Sequence, residues 1–345
     1  MFKIDKKEIN ERVSPYLIAE IGVNHNGKEN IAKRLILKAK IAGADFVKLQ
    51  SFNPELLVTK KLTLAHYQKK KEKKLKKMIL MLKKYQLDEK AQSRLQRYCK
   101  KIKIGFLSSP FDDKSLNFLS KKLKIDVIKI PSGEITNYPL LKKIGKTKKK
   151  IILSTGMSSL KEIKNALSVL FLYGIKKKDL TLLHCNSSYP TNIEDLNLNV
   201  LKTLIYRFRL SVGFSDHSKS LDAPIVAVTL GAKIIEKHIT LNCNQKGPDH
   251  SSSLNPVEFK NMVEKIRATE KMLGSNEKKI TKSEKKNIVF ARKSIVAKKF
   301  IKKGEIFSEK NITTKRPGSG KSPFLWKKII GKKAKKNFFH DELII

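Results

Sequence analysis

The feature that most constrains this chain is an eightfold alternation of short buried strands with segments of helix length. The strands read Tyr16–Gly22, Asp45–Gln50, Lys103–Ser109, Asp126–Gly133, Ile151–Gly156, Leu180–Cys185, a run from Leu210 to His217, and Ile234–His238. Start-to-start spacings are 23 to 30 residues, with one of 58 between the second and third strands. Each run is continuously apolar and rich in β-branched residues, as parallel strands covered on both faces require. Helix punctuation fits: a helix over Lys28–Ala42 stops at Gly43, and one over Pro256–Leu273 starts after Asn255 and stops at Gly274. Eight such units predict an α/β fold, a closed (β/α)8 TIM barrel over residues 1–274, rather than a doubly wound open sheet.

In such a barrel the C-terminal strand ends carry the chemistry. The stretches Gly213-Phe214-Ser215-Asp216-His217 and Ile234-Ile235-Glu236-Lys237-His238 flank an apolar segment, Leu221–Gly231, and form a βαβ unit. That unit sets His217 and His238, 21 residues apart, at matching ends of neighbouring parallel strands, where they can share one metal ion. Two imidazoles completed by water suit a borderline divalent ion such as Mn2+ better than Ca2+. A Lewis acid there implies a polarised carbonyl or an activated water. Lys48 and Lys129 interrupt otherwise apolar strands, and burying them calls for an anion. Ser109, Ser132, Ser154, Ser187 and Ser215 end at the same mouth and suit a phosphate or a carboxylate. The competing reading is an ion pair inside the barrel, Lys48 with Glu20. Phosphorylated acid, divalent metal and electrophilic carbonyl together suggest a condensation.

A net charge of +44 would ordinarily point to nucleic acid, but only nine of the 75 basic residues are arginine. Runs such as Lys69-Lys70-Lys71 and Lys148-Lys149-Lys150 lack interleaved aromatics and read as a solvated surface that attracts anionic substrates. No nucleic-acid partner is expected. Cys99, Cys185 and Cys243 form no CxxC pair, so a reducing cytoplasm fits. The segment Met1–Pro15 lacks an apolar h-region and no run reaches spanning length, so neither secretion nor a membrane anchor is expected.

The long interval, about Ser51 to Lys101, reads as an extended loop plus a Lys-rich helix on the active-site face. Residues 275–287 are polar and read as a linker. From 288 to 345 the pattern changes to short β-like pieces such as Ser294–Ala297, punctuated by Gly304, Gly318, Gly320 and Gly331, which predicts a small separate β-rich domain.

An ordered series of motifs then carries a resemblance. Ala19-Glu20-Ile21-Gly22-Val23-Asn24-His25-Asn26-Gly27, Val47-Lys48-Leu49-Gln50, Ser109-Pro110-Phe111-Asp112, Lys129-Ile130-Pro131-Ser132-Gly133-Glu134, Ser154-Thr155-Gly156-Met157, Gly213-Phe214-Ser215-Asp216-His217 and Glu236-Lys237-His238 together resemble the sialic acid synthase family. Arg316-Pro317-Gly318-Ser319-Gly320 resembles the motif of that family's C-terminal antifreeze-like (SAF, β-clip) domain.

The resemblance implies condensation of phosphoenolpyruvate with N-acetylmannosamine or a related N-acylated amino sugar to a nine-carbon acid plus phosphate. The alternative acceptor is a 6-deoxy diacetamido sugar, as in legionaminate or pseudaminate synthases. It further implies that Lys48, Ser109, Lys129, Ser132, Ser154, Ser187 and Ser215 hold phosphoenolpyruvate. Ser187 stands where some sialate synthases have Asn. His217 and His238 would bind Mn2+ or Mg2+, while Glu20, Gln50, Tyr189 and Asp249 would contact the sugar. Glu20 and Glu134 are the candidate proton carriers. Arg316 would contact the sugar bound to a partner subunit in a domain-swapped homodimer. His25, His66, His184, His250 and His340 are expected to be structural.

Overall fold

A computed structural model of the chain describes residues 3–4, 7–8, 14–64, 68–69 and 75–345. His66, Lys70 and Lys71 lie outside the described residues, as does most of the Met1–Pro15 segment. The chain divides into two compact units, Met1–Gly274 and Ser275–Ile345.

The first unit is built on eight parallel strands: β1 Tyr16–Gly22, β2 Phe46–Ser51, β3 Gly105–Pro110, β4 Val127–Ile130, β5 Lys150–Ser154, β6 Leu180–Cys185, β7 Ser211–Asp216 and β8 Ile234–His238. Hydrogen-bonded neighbours follow chain order, and β8 returns to pair with β1, Ile234 opposite Tyr16 and His238 opposite Glu20. The remaining seam, β3 beside β4, is closely packed but carries no ladder. This is the TIM barrel. A short antiparallel pair, Lys3–Ile4 with Lys7–Glu8, precedes it.

Side-chain alternation sorts the barrel into two cores. Outward-facing Leu17, Ala19, Ile21, Val47, Leu49, Ile128, Ile130, Ile151, Leu153, Leu182 and Ile235 meet the helix layer. Inward-facing Tyr16, Ile18, Phe46, Leu107, Val127, Ile152, Leu183 and Ile234 plug the N-terminal half of the lumen. Fully burying each large apolar side chain contributes about 1.5–3 kcal/mol, which offsets the desolvation of the polar layer above. Gly213 is required where β7 crosses this plug, because a Cβ there would lie 2.5 Å from Ile234 O and 2.7 Å from Leu183 Cδ2.

The helix Glu29–Ile41 ends before Gly43, which adopts φ +90°. Pro256–Leu273 opens on a capping box between Asn255 and Glu258 and ends at Gly274. The interval after β2 holds three described helices, Pro54–Leu57, Met78–Tyr85 and Glu89–Lys101. After β3 the helix Asp113–Asn117 continues as a π-helix over Phe118–Lys122. No helix among the described residues is long and apolar enough to cross a membrane.

The second unit contains an antiparallel pair, β9 Ser294–Ala297 with β10 Ile312–Lys315. It has its own small core of Ile295, Ala297, Ile301, Phe307, Ile312, Ile329, Ala334, Phe338 and Ile344. Within the polar stretch that opens this unit, Lys282–Lys285 forms one helical turn.

Candidate active site

The inward positions that follow the apolar plug on each strand are polar. Glu20, Lys48, Ser109, Lys129, Ser154, Ser215, Glu236 and His238 line a cavity of about 310 Å3 at the C-terminal mouth of the barrel, with Gln50, Ser132, Cys185, Ser187, Tyr189 and His217. Twelve of the residues nominated from sequence therefore share one cavity with His217 and His238 among the lining groups.

Charge is concentrated at its floor. Lys48 Nζ lies 2.9 Å from Glu20 Oε2, 3.7 Å from Glu236 Oε1 and 3.4 Å from Ser109 Oγ. Lys129 Nζ lies 3.3 Å from Glu236 Oε1, and Ser215 Oγ donates to the same oxygen at 2.9 Å. The Lys48–Glu20 pair of the competing reading is thus present, within a four-charge cluster that also presents serine hydroxyls. Burial alone would raise the Glu236 carboxyl, but Lys129, Lys48 and the Ser215 hydrogen bond outweigh it and hold it down at about 2. Burial would likewise lower Lys48, but the Glu20 and Glu236 carboxylates outweigh it and raise it. Burial lowers Lys129 and raises Glu20. Ser154 Oγ and Glu236 Oε2 are buried with no hydrogen-bond partner among the described residues.

Sequence reading assigned Glu236 no role, although strand parity exposes it. If His238 faces the lumen, Glu236 two residues earlier must do the same, and Lys237 between them must face out.

Two imidazoles line the same cavity. His217 and His238 have ring centroids 5.4 Å apart. His217 Nδ1 is 2.6 Å from Asn186 O, and a carbonyl can only accept, so Nδ1 carries the proton and Nε2 the lone pair. The Tyr189 hydroxyl is 3.2 Å from that Nε2, and its ring stacks on His217 at 4.2 Å. Burial pushes His217 down to about 4 and His238 well below its ordinary value, so both are neutral, as metal ligands must be. His238 Nδ1 is buried without a hydrogen-bond partner, 3.9 Å from Asp249 Oδ2. No cluster of three or more His, Cys, Asp or Glu ligands occurs among the described residues. Two neutral imidazoles, one with an unpartnered nitrogen beside a carboxyl, fit a divalent ion that keeps water ligands.

Asp249 follows β8, and burial, with Glu20 adding to it, pushes its carboxyl up to about 7. It converges with Glu20 and Gln50 on Gly22. A Cβ at Gly22 would lie 3.2 Å from Glu20 Oε1, 3.4 Å from Asp249 Oδ2 and 3.4 Å from Gln50 Nε2, and the backbone there has φ +53°. Gln50 Nε2 donates to Glu20 Oε1 at 3.2 Å.

Three nominated residues are not among the lining groups: Asp249, which meets Glu20 and Gln50 at Gly22, and two that lie elsewhere. Glu134 is buried in a short turn after β4, where its Oε2 accepts from Asn137 Nδ2 at 2.6 Å, and it is not among the cavity-lining side chains. Arg316 belongs to the second unit, where its Nε donates to Ala291 O at 3.1 Å. The remaining histidines among the described residues have structural partners. His25 Nδ1 accepts from Gly27 N, His184 Nε2 bonds Leu196 O, and His250 lies between Thr240 and Asn26. His340 is exposed beside Asp341.

A profile of the NeuB family matches residues 35–278, and one of the SAF domain matches residues 292–344. The chain is 50% identical to an N,N'-diacetyllegionaminic acid synthase of Campylobacter jejuni, over 95% of this chain and 98% of that one. It is 37% identical to a pseudaminic acid synthase of Helicobacter pylori, over 93% and 94% of the two chains. Among solved structures, an N-acetylneuraminic acid synthetase of Leptospira borgpetersenii superposes with a TM-score of 0.73 at 32% identity, covering 84% of this chain and 95% of that one.

Proposed function

The chain belongs to the NeuB family and ends in a SAF domain, and from that premise we propose that it condenses phosphoenolpyruvate with an N-acylated amino sugar to a nonulosonic acid and phosphate. The observation that carries this reading is the joint cavity, which two buried lysines and several serine hydroxyls share with two neutral imidazoles. Lys48 and Lys129, with Ser109, Ser132, Ser154, Ser187 and Ser215, hold the phosphate and carboxylate. The unpartnered Ser154 hydroxyl supports that assignment.

In the reaction the C3 electron pair of the enol forms a bond to the aldehyde carbon of the open-chain sugar, and the aldehyde oxygen takes a proton. The oxygen of a water adds to C2 and gives up both its protons, one matching that taken by the aldehyde oxygen and one going to the phosphate, which leaves as the C2–O bond breaks and C2 becomes a ketone. His217 and His238 would hold Mn2+ or Mg2+, and the ion would supply Lewis acidity. Glu20 is the better-placed proton carrier, because it lines the cavity and burial raises its carboxyl, whereas Glu134 is engaged by Asn137 outside it. Gln50, Tyr189 and Asp249 orient the sugar. In a homodimer, Arg316 contributes to the partner subunit's sugar site.

The acceptor we favour is a 6-deoxy diacetamido sugar. Identity is 50% with the diacetyllegionaminic acid synthase against 32% with the N-acetylneuraminic acid synthetase. N-Acetylmannosamine is the second reading. Phosphate release from phosphoenolpyruvate, measured over a panel of acylated amino sugars with and without Mn2+, separates them. Release only with a diacetamido sugar supports the first reading, and release with N-acetylmannosamine supports the second. Absence of sugar-dependent release across the panel contradicts both.

A further inference from the structure

Lys237 lies in β8 between two cavity residues, yet the proposed chemistry does not use it. Alternation turns it out of the lumen, where its side chain and that of Asp216 are both 0% exposed. Its Nζ donates to Asp216 Oδ2 at 2.5 Å, to Ser218 O at 2.6 Å and to Ser220 O at 3.3 Å. The ammonium's three protons therefore have three fixed acceptors. Asp216 Oδ1 in turn accepts from Ser218 N at 2.8 Å.

The placement of this network matters more than its charge. Lys237 and Asp216 are direct partners in the β7–β8 register. Asp216 immediately precedes His217, and Lys237 immediately precedes His238. The carbonyls of Ser218 and Ser220 belong to the loop that leaves His217. A buried ion pair is an inefficient way to stabilise a barrel, since a well-packed apolar pair serves as well or better. What the pair adds is direction, because it ties the ends of two strands and the following loop to one nitrogen.

We infer that Lys237 is a positioning residue that, with Asp216, fixes the separation and tilt of His217 and His238 so that both imidazoles address one ion. The inference rests on the reading of these histidines as metal ligands. Groups behind ligands of this kind commonly change metal affinity 10- to 100-fold when removed.

The test uses the full-length, metal-stripped protein with both charges removed together, Asp216→Leu with Lys237→Met, so that neither is left buried alone. Free Mn2+ is followed by electron paramagnetic resonance during titration, with His217→Ala as the benchmark for loss of the site. The double variant is expected to fold, with its thermal midpoint within a few degrees of wild type, and to bind Mn2+ roughly 10- to 100-fold more weakly. A second readout needs no metal. In nitrogen-15 histidine spectra the His217 Nδ1 proton, identified by its loss in His217→Ala, reports the hydrogen bond to Asn186 O, and the double variant is expected to shift or lose it.

Unchanged Mn2+ affinity together with an unchanged ring proton would overturn the inference. So would failure of the double variant to fold, which would make the pair a folding element. If the wild type binds no Mn2+, the metal reading fails on its own, and the ring-proton comparison still decides whether Lys237 positions His217.

Discussion

At the scale of single residues, Glu236 is where the cavity's charges meet, since one carboxylate oxygen faces Lys129, Lys48 and Ser215. Removing one member of a buried ionic cluster costs about 3–5 kcal/mol, because the opposite charge remains without compensation. Glu236→Gln keeps an acceptor for Ser215 but leaves Lys129 without that carboxylate. The variant should melt well below wild type, and phosphoenolpyruvate should raise its midpoint by more than it raises that of wild type, because the ligand anion replaces the missing charge. Thermal denaturation with and without phosphoenolpyruvate checks this, and equal ligand-induced shifts would contradict the assignment of the lysines to the anion. Lys48, Lys129, His217 and His238 were legible in the sequence because a charge or an imidazole in an apolar strand is conspicuous. Glu236 was missed because two adjacent charges, Glu236 and Lys237, do not by themselves reveal which one faces the lumen, and only parity along β8 separates the inward residue from the outward one.

At the scale of elements, the loops after β1 and β8 are held by neutral histidines. His25 Nδ1 accepts from Gly27 N at 3.0 Å, and burial pushes this imidazole down from 6.5 to about 4. A folded-state pKa below the unfolded value means that the unfolded chain binds the extra proton first. The stability from this group is therefore complete above pH 6.5 and is lost as pH falls towards 4. The loss from His25 is about 3 kcal/mol. His25→Asn should flatten the fall in unfolding free energy over that window, as measured by urea denaturation at a series of pH values. An unchanged slope would show that the loop does not depend on a neutral imidazole. Strands and helix ends of the barrel were readable from short-range signals, such as apolar runs bounded by glycine and the Asn255 and Gly274 that bracket the last helix. The π-helix Phe118–Lys122 was not, because its extra residue per turn leaves no distinctive pattern in so short a segment. The interval after β2 was read as one loop and one helix, whereas three described helices occupy it, since its Lys-rich composition blurs their boundaries.

Across the whole molecule, the proposed chemistry divides between the barrel, which would hold phosphoenolpyruvate and metal, and the second unit of a partner subunit, which would supply one sugar contact, Arg316. Arg316→Ala should therefore raise KM for the acylated sugar while leaving that for phosphoenolpyruvate unchanged. Mixed Arg316→Ala and His217→Ala chains, once subunit exchange is demonstrated, should show activity at limiting sugar above that of either parent. No recovery in proven heterodimers would remove Arg316 from a shared site. The central claim is that the barrel joins two substrates through carbon, and it is tested most directly by mass spectrometry of the product. The enzyme is incubated with Mn2+, a 6-deoxy diacetamido sugar and phosphoenolpyruvate labelled with carbon-13 at C3. The account predicts one new acid that contains the intact sugar and the labelled three-carbon unit, formed in equal amount to the phosphate released and absent from the His217→Ala variant. Labelled pyruvate and unchanged sugar as the only products would contradict it.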